Sequence, residues 1–237
     1  AESGFLASGL EGEGRLAEPE TILNAIKRNL TRSSELVGKK LIITAGPTYE
    51  AIDPVRFIGN HSSGKMGFEL AEAVANKGAE VTLVCGPSNL TIQHPSIKLV
   101  RVNSAQQMLD EVQACWNEMD GGIFSAAVAD YKPKEAANQK IKKKEEELTL
   151  TLTKNPDILA WAGANKKEHQ ILVGFALETE NSIENGKGKL EKKNLDFIII
   201  NQPEKDKTGF GANTNQISIF DKHNNLTNFE LKSKSLV

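Results

Sequence analysis

"KKLIITAGPTYEAIDPVRFIGNHSSGKMGFELAEAVANKGAEVTLVCG", residues 39–86, sets two short apolar runs on either side of an amphipathic segment. "KKLIITAG" stops at Gly46-Pro47 and "EVTLVCG" begins after Gly78. Short apolar runs bounded by turn residues read as strands buried on both faces. Between them, "GKMGFELAEAVANKGA" spaces its apolar residues as one face of a helix and closes on Gly78. Strand, helix and strand in that order predict a parallel βαβ unit. The rhythm continues with strands "IKLVRV" and "GGIFSAA" around the helix "AQQMLDEVQACWNEM". After these come "HQILVGFA" and "LDFIIINQ", joined by a Lys-rich helical stretch from about Ser182 to Lys193. The whole predicts an α/β fold, a Rossmann-like doubly wound, mostly parallel sheet.

Two segments depart from this rhythm. "KIKKKEEELTLTLTK", residues 140–154, alternates with period two and is expected to form a two-stranded β flap. "NQISIFDKHNNLTNFELK", residues 215–232, predicts a C-terminal hairpin turning near Asn224-Asn225. Residues 1–17 hold four glycines and read as loop, and "EPETILNAIKRNL" reads as a helix with Pro19 in its first turn.

Hydrophobic residues make up 39% of the 237 residues and charged residues 25%, with a net charge of −2. That balance gives no general attraction to nucleic acid or to a membrane surface, so neither is expected as a partner. Cys85 and Cys115 lack metal-site or disulfide spacing, which favours a reducing, cytoplasmic setting. No apolar run is long enough to span a bilayer. The chain starts at Ala1, not Met, and is expected to be part of something longer.

The loop "GNHSSGKMG", residues 59–67, nearly spells a Walker phosphate loop, but Met66 stands where a magnesium-binding hydroxyl belongs. The nearest strong strand also ends well upstream, near Ala45. A dinucleotide fingerprint fits poorly too, since Ser62 replaces its first glycine and no acidic residue lies near Val84. What remains is a loop of Ser62, Ser63, Gly64 and Lys65 feeding a helix N-terminus, where free N–H groups and the helix dipole attract anions. From spacing alone, anion binding and plain capping by Ser62 or Ser63 stay equally open.

Reading outward, "ITAGPTYEAIDPVRFIGNHSSGKMG" (43–67) resembles the signature of the phosphopantothenoylcysteine synthetase family, the CoaB portion of bacterial CoaBC proteins. The resemblance recurs in order at "AAVADYKP" (126–133), "KIKK" (140–143), "KNPDIL" (154–159), "VGFALET" (173–179) and "KKNLDFIIIN" (192–201). It covers about residues 38–237. "LASGLEGEGRLAEP" resembles the end of the preceding decarboxylase portion, with Ser8 in place of an acid-donating Cys and Leu16 in place of Met. The expected organisation is a decarboxylase tail and linker helix over 1–37 and a synthetase domain over 38–237. Neither a bound flavin nor decarboxylation is expected of this chain.

The resemblance implies that 4′-phosphopantothenate and L-cysteine are joined with CTP and Mg²⁺, through an acyl-cytidylate, by a homodimer in coenzyme A biosynthesis. It places Lys140 on a flap over the triphosphate, although a charge run such as "KKKEEE" by itself reads as solvated surface. It places Lys189 and Lys193, four apart on one helix face, at the nucleotide. Phe175 is placed against the cytosine, with Phe124, Ser125, Ala126, Pro156, Asp157, Ile158 and Leu159 enclosing it. Asp130 could contact the nucleotide or a magnesium ion, because carboxylates suit hard cations, and as a lone Asp after a strand it could equally cap a helix or turn. Asn60 would hold the acyl-cytidylate during amide formation, and Arg56 would support the site. An NAD(P)-dependent Rossmann oxidoreductase and a non-catalytic nucleotide-binding module are the competing readings.

Overall fold

The structure, a computed structural model, describes residues 2–5, 10–19, 22–23, 26, 33–142, 147–177, 182–201 and 214–233. Strands β3 (Lys40–Ala45) and β6 (Glu80–Cys85) flank helix α1 (Lys65–Asn76) as the opening stretch predicts. Then follow β7 (Ile97–Arg101), α2 (Ala105–Cys115), β8 (Gly121–Phe124), α3 (Ile158–Ala164), β11 (Ile171–Leu177), α4 (Ser182–Lys192) and β12 (Phe197–Asn201). A final hairpin, β13 (Thr214–Asp221) and β14 (Leu226–Ser233), turns through Asn224 at φ 68°.

These strands form one eight-stranded sheet in the order β14-β13-β12-β11-β8-β3-β6-β7. From β12 to β7 every pairing is parallel, and only the C-terminal hairpin is antiparallel. Chain order reverses at β3: β6 and β7 lie on one side of it, whereas β8, β11 and β12 return on the other. The doubly wound expectation holds. Because side chains alternate across a strand, Ile43 and Ala45 join a core under α1 with Phe68, Ala71 and Leu83. Ile42 points the other way, into a core with Met108, Trp116, Phe124, Leu172 and Ile198.

The helix over 18–30 lies largely outside the described residues; Pro19, Ile22, Leu23 and Ile26 are helical. The expected loop over 1–17 is corrected: β1 (Glu2–Phe5) and β2 (Glu11–Arg15) pair antiparallel, with Gly4 opposite Gly12. Backbone pairing needs no apolar periodicity, and periodicity was the signal read there. The flap is shorter than its alternation implies. β9 (Tyr131–Pro133) pairs with β10 (Leu152–Lys154), and residues 134–151 form no further described strand. A small hairpin, β4 (Tyr49–Ala51) and β5 (Phe57–Gly59), follows β3. The buried Glu50 carboxylate accepts the Ala105 amide at 2.9 Å, which fastens this hairpin to the start of α2.

Close approach requires glycine at several positions, of which Gly86 and Gly67 lie beside β3. Gly86 packs so tightly on Pro47 that an added Cβ would lie 1.7 Å from its carbonyl oxygen. At Gly67, in the first turn of α1, an added Cβ would lie 2.5 Å from the Ala45 Cβ and 2.9 Å from the Ser125 hydroxyl. The Ala45 neighbour is a rigid part of the sheet and cannot swing aside. Gly67→Ala is therefore expected to lift α1 from β3 and lower stability by about 1–3 kcal/mol, a drop of roughly 2–4 °C in Tm per kcal/mol. Thermal unfolding followed by circular dichroism checks this, and an unchanged Tm contradicts the contact.

Candidate functional site

The carboxyl ends of β3 and β8 do not separate at once. Ser125 donates its amide to the Thr44 carbonyl at 3.1 Å and its hydroxyl to the same oxygen at 2.7 Å. Beyond the sheet, Ala127 donates to Gly46 at 2.8 Å, and Ala129 donates to the Thr48 hydroxyl at 3.0 Å. Residues 44–48 and 125–129 thus form a backbone seam at the point where strand order reverses. Open α/β sheets bind ligands outside the carboxyl ends of strands at such a point.

A cleft of about 560 Å³ opens beside the seam, a size suited to a small-molecule ligand. Thr44, Phe124, Ala126 and Phe175 come to it from the ends of β3, β8 and β11. Val128, Ala129 and Asp130 come from the loop after β8, Tyr131 begins β9, and Lys154 to Leu159 lead from the flap into α3. Lys193 closes the set from just beyond α4. Of the expected nucleotide residues, Phe124, Ala126, Asp130, Pro156, Asp157, Ile158, Leu159, Phe175 and Lys193 therefore share one cleft. Ser125 lies between two lining residues but turns its hydroxyl into the seam. Lys189 is exposed one turn from Lys193 and does not line the cleft.

Asp157 and Lys193 work as a pair. The Asp157 carboxylate caps α3 by accepting the Ala160 amide at 2.9 Å and lies 2.8 Å from the Lys193 ammonium. Burial pushes this carboxyl upward, but the Lys193 hydrogen bond and the Ala160 amide outweigh it and hold it below the ordinary range. The cleft therefore presents a cation already balanced by an anion. Asp130 is exposed and lines the same cleft. Among the described residues no three His, Cys, Asp or Glu side chains gather as a metal cage.

The anion loop lies across the seam and does not line the same cleft. α1 begins after Gly64, at φ 82°, with no side-chain cap. The Ser62 hydroxyl instead accepts the Gly64 amide at 3.2 Å, and the Ser63 hydroxyl accepts the Lys65 amide at 3.4 Å. The Ser88 hydroxyl donates to the Ser63 carbonyl at 2.7 Å, so the loop after β6 backs the anion loop. Arg101 in turn donates to the Ser88 carbonyl at 3.0 Å. Asn60 joins the two sides, donating its amide to the Val128 carbonyl at 2.9 Å.

Lys140 is exposed on the flap and lies outside the cleft lining. Arg56 donates to the carbonyl of Ile141, the residue after Lys140, at 2.9 Å and to Asp53. Sequence reasoning did not single out Asp53, Thr44, Asn155 or α3. Asp53 had a readable signal, because "DPVR" places a turn-forming Asp three residues before an Arg. Asp157 followed by apolar residues was likewise a legible helix start.

The DNA/pantothenate metabolism flavoprotein C-terminal domain matches residues 36–237. A protein of unknown prokaryotic origin named cysteine/cysteine sulfinic acid decarboxylase is 47% identical over 99% of this chain and 67% of its own length. The coenzyme A biosynthesis bifunctional protein CoaBC of Haemophilus influenzae is 46% identical over 98% of this chain and 57% of its own length. The chain thus spans little more than half of that relative. The crystal structure of the C-terminal domain of CoaBC superposes with a TM-score of 0.72 at 39% identity, covering 86% of this chain and 92% of that domain. The chain belongs to the DNA/pantothenate metabolism flavoprotein C-terminal domain family, and within it to the CoaB portion of CoaBC proteins.

Proposed function

We propose that this chain is a phosphopantothenate–cysteine ligase: it joins 4′-phosphopantothenate to L-cysteine in coenzyme A biosynthesis, with CTP as the activating nucleotide. The observation that carries this reading is the cleft at the reversal point, where Phe124, Phe175, Lys193 and the loop leading into α3 converge. In this reading the substrate carboxylate attacks the α-phosphate of CTP, forming an acyl-cytidylate and releasing pyrophosphate. The cysteine amine then attacks the acyl carbon, CMP leaves, and the amine proton is lost as the amide forms. No covalent link to the protein is needed. Residues 38–237 carry the reaction, and residues 1–37 are the tail and linker of a preceding portion.

The roles proposed for individual residues are those the resemblance implies, and the shared cleft supports them. Phe175 lies against the base, while the backbone of Phe124, Ser125, Ala126 and Pro156 to Leu159 encloses the nucleotide. Lys193, with Lys189 one turn earlier on α4, faces the nucleotide, and the loop of Ser62, Ser63, Gly64 and Lys65 takes a second anionic group across the seam. Asn60, already bonded to the cleft wall at Val128, orients the intermediate, and Arg56 supports the flap. A magnesium ion favours phosphate oxygens with one or two carboxylates over a protein cage, which fits the exposed Asp130 and the absence of a three-ligand cluster among the described residues. When bound, it neutralises triphosphate charge. Exposed Val55 and Phe57 on the β4–β5 hairpin, with Tyr131 and Leu152 on the flap strands, support assembly as a homodimer. No helix among the described residues is long and apolar enough to cross a membrane, in keeping with a cytoplasmic reaction.

Release of pyrophosphate is expected only when CTP, magnesium and 4′-phosphopantothenate are present together, with CMP appearing once cysteine is added. Faster release with ATP, or undiminished release in chelator, counts against the reading. Hydride transfer would favour the oxidoreductase alternative. Lys140→Gln is expected to lower single-turnover pyrophosphate release by roughly 10²–10³-fold, the scale of one preorganised electrostatic contact, with unchanged thermal unfolding; Lys144→Gln serves as the control of little effect. Asn60→Ala is expected to slow amide formation more than activation. Mass spectrometry should then detect accumulating acyl-cytidylate, whereas equal slowing of both halves would reduce Asn60 to a loop-shaping residue.

A further inference from the structure

Between β4 and β5 the chain makes a turn whose centre is Asp53, a carboxylate only 3% exposed. One oxygen, Oδ1, accepts the amides of Val55 and Arg56, each at 2.9 Å, and so shapes the turn itself. The other, Oδ2, accepts Nε of Arg56 at 3.0 Å and the amide of Ile141 at 3.1 Å. Arg56 completes the loop by donating Nη2 to the Ile141 carbonyl at 2.9 Å. Both backbone polar groups of Ile141 are therefore taken by one ion pair that lies more than eighty residues earlier in the chain. A second link, from the Ala137 amide to the Ile52 carbonyl at 2.9 Å, runs parallel to it.

We propose that Asp53 is a positioning residue: with Arg56 it latches the flap at Ile141 and thereby fixes where Lys140, one residue earlier, can reach. The hairpin that carries the latch also carries Asn60 at its far end, bonded to the cleft wall. One small element thus registers the flap and the amide-forming residue against the same cleft. A carboxylate suits this task because its two oxygens are divided, one serving the turn and one serving the flap. The part of the proposal that concerns Lys140 rests on the ligase reading; the latch itself does not.

Asp53→Asn separates the two tasks. The amide oxygen can keep the Val55 and Arg56 amides, but the side-chain NH₂ that replaces Oδ2 is a donor facing donors. The measurement is amide hydrogen exchange by NMR on the full chain. Exchange at Ile141 is expected to rise about tenfold or more, the scale of one lost hydrogen bond to a charged group, while Val55 and Arg56 keep their rates. Should Asp53→Asn fail to fold, Arg56→Lys provides the same test, since an ammonium cannot span the carboxylate and the Ile141 carbonyl as the guanidinium fork does. Unchanged exchange at Ile141, or a uniform rise at all three amides, overturns the latch. In turnover, Asp53→Asn should slow CTP-dependent pyrophosphate release and add no further loss to Lys140→Gln, as expected for two residues acting through one contact. Losses that multiply overturn the positioning role. Selective exchange at Ile141 with no slowing by either substitution leaves the latch standing and removes Lys140 from the ligase reading.

Discussion

Everything at the functional end of this molecule depends on the backbone seam between residues 44–48 and 125–129. Parallel strands that diverge to opposite faces ordinarily leave a gap, and unpaired backbone groups in that gap would need water or ligand. Here the pairing continues past the strands through Ala127 and Thr48, so the gap is displaced to the β8–β11 side and becomes a walled cleft. The seam needs Gly46 in the left-handed region at φ 74° and bare glycines at 67 and 86 where neighbouring segments press on it. Four glycines of the opening stretch, 46, 64, 67 and 86, thus serve one junction. Gly46 and Gly64 supply left-handed backbone, and Gly67 and Gly86 leave room for the Ala45 side chain and the Pro47 carbonyl.

Charge at the site is organised by pairing. Lys193 holds Asp157, and Arg56 holds Asp53, so one cation of the cleft and one at the base of the flap carry fixed carboxylates that restrict their geometry. The Asp53 carboxyl is held well below the ordinary range, first by the Arg56 hydrogen bonds and then by three backbone amides, against the opposing effect of burial. Its contribution is therefore present above the ordinary carboxylate range and is lost as pH falls through the depressed folded value. Fixed pairs cost less reorganisation when a polyanion arrives than free lysines would. That fits a chain with a net charge of −2 and the anionic substrates of the proposed reaction.

The sheet was legible in the sequence because strands such as "LIITA" and "FIIIN" are buried on both faces and cannot be read as anything that tolerates water. Much of the candidate cleft was reached through motif resemblance, since an apolar Phe175 or Ile158 looks like ordinary core from spacing alone. α3 escaped because seven residues offer too few turns for a periodic signal. Thr44 and Asn155 escaped for a different reason: each is an isolated polar residue whose meaning comes from a segment about eighty residues away at Thr44, or twenty-six at Asn155. Asn155 donates to the Ala129 carbonyl at 2.7 Å, a contact that no local pattern announces. The β1–β2 pairing was missed because glycine-rich strands hide from hydrophobic periodicity.

The reversal of strand order at β3 also governs when the site comes into being. A chain made from its N-terminus can pair β3 with β6, and β6 with β7, as soon as those residues emerge, since they are close in sequence and α1 covers their shared face. The other wall has to wait for β8, α3, β11 and Lys193, and the exposed edge of β3 must stay unpaired until residues 121–124 return to it. During that interval the nascent chain presents an apolar strand edge to its surroundings, the hazard that non-local parallel pairing always carries. The α1 side is therefore complete in the nascent chain before the second wall of the cleft, and Lys193 is among the last of its residues that synthesis supplies.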